Sequence, residues 1–195
     1  MKYFTPDLLA RFGSEDDGIA LAAQEELERR AAAYDREFHA IEGRLPRRFR
    51  EFLGRFYLHD ALVLALGPLT HPALMGPTGL SSENVPFDWL DEAPSDPASS
   101  IRMALRLDVP DGDIFLLDYG RVSVELIRPT LLLPPETCPY LEWLNDEIEL
   151  LPPENRNAFR HSILFTNDIE LRIAFDDFDF KPVTNVESFQ QAASN

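Results

Sequence analysis

A single cysteine, Cys138, in 195 residues leaves no partner for an internal disulfide and no Cys/His set for a structural zinc site. It stands between Thr137 and Pro139 with no histidine near it in sequence, which predicts an inert buried thiol. No apolar run reaches the ~20 residues that a bilayer-spanning helix needs. The opening Met1-Lys2-Tyr3-Phe4 lacks the apolar stretch of a secretory signal. Positive charge is scarce: 18 Lys and Arg face 34 Asp and Glu, a formal net charge of -16. Such a surface repels phosphate backbones, so nucleic acid is not an expected partner. Missing as well are the glycine-rich phosphate cradles, the Gly-x-Ser-x-Gly nucleophile elbow and the His-Glu-x-x-His zinc helix. These absences predict a soluble, cytoplasmic protein that binds no membrane, needs no cofactor and is not an enzyme.

What is present is an ordinary globular composition, 45% hydrophobic and 27% charged, in a chain long enough to bury its own core without covalent staples. The charge is uneven. Residues 1–60 carry 12 acids and 10 bases, whereas residues 61–195 carry 22 acids and 8 bases. An acidic surface attracts a basic partner and speeds the encounter at low salt.

The first segment reads as a short helix. Thr5 is placed to cap it, Pro6 fits the first helical position, and Gly13-Ser14 end it. Ser14 with Asp17 suggests a capping-box start for a long helix running to about Glu42. Along that helix Ala20, Ala23, Leu27, Ala31, Tyr34, Phe38 and Ile41 recur at spacings of three and four, an apolar stripe down one face. Gly43 closes it, and Pro46 opens a second helix over 46–57 with Phe49, Phe52, Leu53 and Phe56 inward. The two helices are expected to form an antiparallel hairpin.

From Ala61 the pattern changes. Residues 61–66 form an apolar run bounded by Gly67-Pro68, consistent with a buried strand, and 67–100 is a long proline-rich irregular connection, with Phe87, Trp89 and Leu90 as its pins. Residues 102–108 and 121–126 alternate apolar and polar, and 114–119 is read as the partner strand between them, with turn chemistry at 110–113 and at Gly120, which predicts a three-stranded antiparallel meander. Residues 139–150 are read as an inserted helix with Tyr140, Leu144 and Ile148 or Trp143 inward, stopped by Pro152-Pro153. A final hairpin pairs 161–166 with 169–175 around Asn167-Asp168, Phe178 and Phe180 extend an edge, and the C-terminal end frays. The expected architecture is therefore α+β: one domain over 1–195, in which a helical hairpin (1–58) packs on a mostly antiparallel sheet (59–185) with one inserted helix.

Four histidines are the candidate reactive groups: His39, His59, His71 and His161. His59-Asp60, with His39 upstream, is similar to the metal-binding pair of the HD-class phosphohydrolases. That class sets the pair within a helical bundle, whereas here a strand follows. The simpler expectation is that His59 complements a helix end and Asp60 caps the turn into the sheet. With His161 facing the same side and an acid from 108–113, these residues form an alternative metal site, since imidazole and carboxylate ligands can hold a divalent ion that acidifies a bound water. Asp108, Asp111 and Asp113 depart from calcium-loop spacing and read as a hairpin turn. Asp176, Asp177 and Asp179, interleaved with Phe175, Phe178 and Phe180, are expected to blunt an edge strand. Arg44, Arg47, Arg48, Arg50 and Arg55 form the one basic cluster, read as pairing with the acidic sheet part.

The opening Met1-Lys2-Tyr3-Phe4-Thr5, the junction Leu58-His59-Asp60-Ala61 and the strand His161-Ser162-Ile163-Leu164 together resemble an uncharacterised bacterial protein family of unknown function. The resemblance implies a bacterial cytosolic α+β protein and carries over no catalytic residue. The functional expectation is a non-enzymatic binding module whose acidic sheet face engages a basic protein partner, in the style of small inhibitor or immunity proteins. The alternative is a metal-dependent hydrolase centred on His59, Asp60 and His161.

Overall fold

A computed structural model describes residues 1–67, 100–106, 114–127 and 141–182. Expectations that fall elsewhere lie outside the described residues: the proline-rich connection with its aromatic pins, Cys138, the Asp108–Asp113 turn and the C-terminal end.

The helices begin where short polar side chains satisfy their free amides. α1 (Pro6–Phe12) starts at Thr5, whose hydroxyl accepts the Leu8 N–H at 3.4 Å, and ends at Gly13. α2 (Asp17–Glu42) is capped by Asp16 and not by Ser14. The Asp16 carboxylate accepts the N–H groups of Gly18 at 2.9 Å and Ile19 at 3.1 Å, while the Ser14 hydroxyl accepts the Asp16 N–H. A carboxylate also suits the positive helix end better than a hydroxyl. Every residue of the predicted α2 stripe is shielded from solvent to some degree. α3 (Arg47–Leu53) stops short of the expected 57 because Gly54 caps it. The helical pair α1–α2 packs together, α2 rests on the sheet through β5 (Leu141–Leu150), and α3 packs on β8 (Asp177–Pro182).

The other strands are β1 (Leu62–Gly67), β2 (Ser100–Arg106), β3 (Ile114–Gly120), β4 (Ser123–Ile127), β6 (Phe159–Phe165) and β7 (Glu170–Phe175). All pairings are antiparallel, in the order β4-β7-β6-β5-β1-β2-β3-β8. The two ends of that order meet. Gly120 pairs with Asp177 and Ser123 pairs with Ala174, so the β3–β8 ladder and the β4–β7 ladder share one register. β3 and β4 are thus a single strand bent at Arg121-Val122, running against β7 and β8, a single strand bent at Asp176. Six strands, counted this way, close into a ring built from two three-stranded meanders, β1-β2-β3/β4 and β5-β6-β7/β8. Strands that bend from one sheet into another are the usual means of turning such corners.

The corner has local causes. Arg121 adopts φ 53°, a left-handed conformation rare for a residue with a side chain. Its carbonyl accepts the Asn157 side-chain amide, and the Gly120 carbonyl accepts the Asp176 N–H at 3.3 Å. A Cβ at Gly120 would stand 3.1 Å from Asp177 Cβ, so a side chain there would press the crossing strand aside by a few tenths of an ångström.

Two sequence expectations are corrected. Residues 121–126 do not turn back on β3 as the third strand of a meander; they continue β3 past the bend and pair with β7. The inserted helix over 139–150 is instead β5, ten residues paired with β6, with an irregularity of register between Trp143 and Asn145. That bulge shifts the alternation by one residue, which hides the period of two, and pairing on both flanks overrides the helix preference of Leu and Glu. The α+β class stands, with mostly antiparallel strands.

The core is aromatic. Phe115, Leu117 and Tyr119 of β3, Ile163 and Phe165 of β6, Leu171, Ile173 and Phe175 of β7, and Phe178 and Phe180 of β8 face it, alternating as a sheet requires. α3 closes over them. Phe49 lies 4.6 Å from the Phe178 ring and 5.1 Å from that of Phe175, and Phe52 lies 5.2 Å from that of Phe180.

Candidate functional site

Among the described residues a chain of polar groups runs through the core. Period-two alternation on β3 and β6 turns both Tyr119 and His161 inward, and the β5 bulge brings Asp146 onto the same side as Trp143. His161 is 0% exposed. Its Nδ1 lies 2.9 Å from the Tyr119 hydroxyl and its Nε2 3.1 Å from Asp146 Oδ2, while Trp143 Nε1 donates to Asp146 Oδ1 at 3.0 Å. One proton placement satisfies every group: Tyr119 donates to Nδ1, and Nε2–H donates to Asp146. Burial, reinforced by the Asp146 charge, raises the Tyr119 phenol well above its usual range. Asp146 is the part-exposed end of the chain.

His59 and Asp60 sit elsewhere, on the exposed turn that enters β1. Their side chains contact one another, Nδ1 to Oδ2 at 2.8 Å, and the Tyr57 ring stacks on His59. Asp60 has φ 64°, and its N–H donates to the Trp143 carbonyl at 2.8 Å, which ties the turn to β5. His39, on α2, bonds the Asp35 carbonyl at 2.7 Å, and that bond raises its pKa. The structure therefore brings His59 and Asp60 together on the surface and encloses His161 in the core with both nitrogens engaged. Among the described residues no three of His, Cys, Asp and Glu form a group able to hold a metal ion.

Of the basic cluster, Arg48 reaches the sheet: Nε lies 2.7 Å from Asp179 Oδ1, and the guanidinium covers the Phe180 ring at 4.4 Å. Arg47 pairs within α3 to Glu51. Asp177 and Asp179 are exposed on β8, and Asp177 pairs with Arg121 at 2.9 Å.

The outer face of β5-β6-β7 carries a second, charged arrangement. Register sets Glu147 beside Ser162 and Ser162 beside Arg172, with Glu149 beside Arg160 in the next row. Over these rows lies the N-terminal segment. Glu147 accepts the N–H groups of Lys2, Tyr3 and Phe4 at 2.7, 2.6 and 2.7 Å, and Glu170 pairs with the Met1 amine. Burial works against the Glu170 carboxylate, but that amine and Arg172 outweigh it and lower its pKa. Tyr34 of α2 accepts the Ile148 N–H at 2.9 Å. Between segment and sheet remains a cleft of about 250 Å³.

Sequence reasoning singled out His161 but missed Tyr119 and Asp146 as its partners in the core, and Glu147 as the anchor of the N-terminal segment on the outer face. Tyr119 lay on β3, whose run Ile114-Phe115-Leu116-Leu117 is apolar on both faces and marks no inward side. Asp146 and Glu147 lay in the segment read as a helix, where their two faces could not be assigned. No protein-family model, curated protein or solved structure matches the chain. Fold and site thus define an α+β protein with a ring of antiparallel strands. Among the described residues no helix is long and apolar enough to cross a membrane.

Proposed function

We propose that the chain is a non-enzymatic binding module, bacterial and cytoplasmic, whose acidic surface engages a basic protein partner in the manner of small inhibitor or immunity proteins. The observation that carries this reading is where acids stay uncompensated. On the described strands, Asp118, Glu125, Glu149, Glu170, Asp177 and Asp179 are paired with cations and Glu147 is engaged by backbone amides, while Glu142 has no ion pair among the described residues. At the α1–α2 junction, Glu15, Asp17 and Glu25 make no ion pair among the described residues. Beside them Phe12, Ile19 and Leu21 are 48%, 47% and 59% exposed. Apolar anchors within an acidic rim suit a basic, amphipathic surface: the rings and methyls supply affinity, and the charge supplies orientation and encounter rate. This reading puts the acidic surface at the helical pair, where the sequence expectation put it on the sheet face.

The test has two stages. A partner captured from the source lysate at low salt is identified, and its affinity is then measured against salt for the native chain and for Glu15→Lys/Asp17→Lys. The expected result is a basic partner, salt-weakened binding, and a further loss of about tenfold in the variant at unchanged melting temperature. Retention of only neutral or acidic proteins, or a variant that binds as well as the native chain, overturns the reading.

A further inference from the structure

The cleft on the outer face of β5-β6-β7 lies away from the acidic junction and has a feature that its structural role does not explain. Ser162 is only 5% exposed and lines the cleft, yet its hydroxyl makes no hydrogen bond to any described residue. Among the described residues no side-chain nitrogen or oxygen shut off from solvent lacks a partner, so this hydroxyl opens into the cleft, and a hydroxyl aimed there with no protein partner calls for an account. Its neighbours supply one. Arg172 is its cross-strand partner, and Arg160 stands two residues along the same face, at spacings where long side chains reach one another. Each guanidinium has donors to spare. Arg160 uses Nη1 on Glu149 at 2.8 Å, and Arg172 uses Nε on Glu170 at 2.7 Å and Nη1 on Glu125 at 3.6 Å, so the Nη2 groups of both make no bond among the described residues. The acid on the other side of Ser162 does not compete, because both oxygens of Glu147 accept backbone N–H groups. Glu37 and Glu149 also border the cleft, each held by a cation, Lys2 at 2.7 Å and Arg160 respectively.

We propose that this cleft is a binding site for a small molecule bearing an oxyanion, with the Ser162 hydroxyl and the free edges of Arg160 and Arg172 as its donors. Guanidinium edges grip planar carboxylate and tetrahedral phosphate through paired N–H donors, and a hydroxyl held between them fixes the third oxygen. The volume of about 250 Å³ admits a small metabolite and excludes a folded partner. The site is independent of the acidic surface proposed above, since its ligand has the opposite charge.

Amide chemical shifts of the native chain are followed while inorganic phosphate, and separately acetate, is added at fixed ionic strength. Saturable shifts at residues 160–162 and 172 are expected from at least one of the two anions. Phosphate alone assigns a phosphoryl ligand, acetate alone a carboxylate, and both the shared chemistry. Ser162→Ala and Arg160→Gln, at melting temperatures close to the native value, are each expected to weaken that binding by about tenfold or more. Linear, non-saturating shifts with both anions, or native affinity in both variants, overturn the proposal.

Discussion

Enclosing a histidine costs little when both ring nitrogens find partners, and much when one does not. His161 meets that condition through Tyr119 on one side and Asp146 on the other. The phenol is the simplest member to remove, because phenylalanine keeps the ring and its contacts with Phe175 and Phe178. Tyr119→Phe is expected to lower the stability by about 1–3 kcal/mol, the cost of leaving Nδ1 buried without a donor. Urea denaturation measures it; a change within experimental error shows that the network adds nothing to stability. The residue scale also marks how far a sequence can be read. His161 and Tyr119 sit on strands with apolar residues on both faces, so their place on a strand was legible but their inward direction was not. That they meet, 42 positions apart, depends on a ring closure that no local pattern contains.

At the scale of elements, the segments with strong local chemistry were legible and those defined by their neighbours were not. α1 has its cap, its proline and its glycine within nine residues, and it forms where they indicate. β5 carries Leu, Glu and Asn in an order whose alternation is broken at the bulge, and its strand character comes from β6 on one side and β1 on the other. The break between β3 and β4 was equally hidden: Gly120 suggested a reversal, but a glycine that admits a crossing strand leaves the same mark as one that turns a hairpin. The start of α2 was misplaced by two residues, and the difference is measurable. Asp16 satisfies two amides that Ser14 does not reach. Asp16→Ala is expected to cost about 1 kcal/mol, and Ser14→Ala a few tenths. Equal effects in thermal melts reassign the cap. Amide exchange refines the comparison, since losing Asp16 speeds exchange first in the opening turn of α2.

At the scale of the molecule, two seams hold the ring. The long one runs through both halves of the bent ribbon, from Phe115 against Pro182 to Ile127 against Glu170. The other joins β1 to β5 through few residues, Leu62 against Glu142 and Val63 against Leu141, with the Trp143 N–H on the Ala61 carbonyl at 2.9 Å. A ring with one short seam opens there unless something spans its halves. Phe49 does so from α3: its ring contacts Tyr119 of the first meander and His161, Phe175 and Phe178 of the second. Its removal therefore bears on both meanders at once. Phe49→Ala is expected to cost about 3–5 kcal/mol, a large part of the roughly 5–15 kcal/mol that a domain of this kind holds. Because the ring unfolds as a unit, the denaturant midpoint falls while the slope is kept and a single transition remains. Phe12→Ala, which alters an exposed ring, is the matched control and shifts stability by no more than about 0.5 kcal/mol. Two separate transitions in Phe49→Ala, one for each meander, mean that the halves fold independently and that the helix plug does not join them.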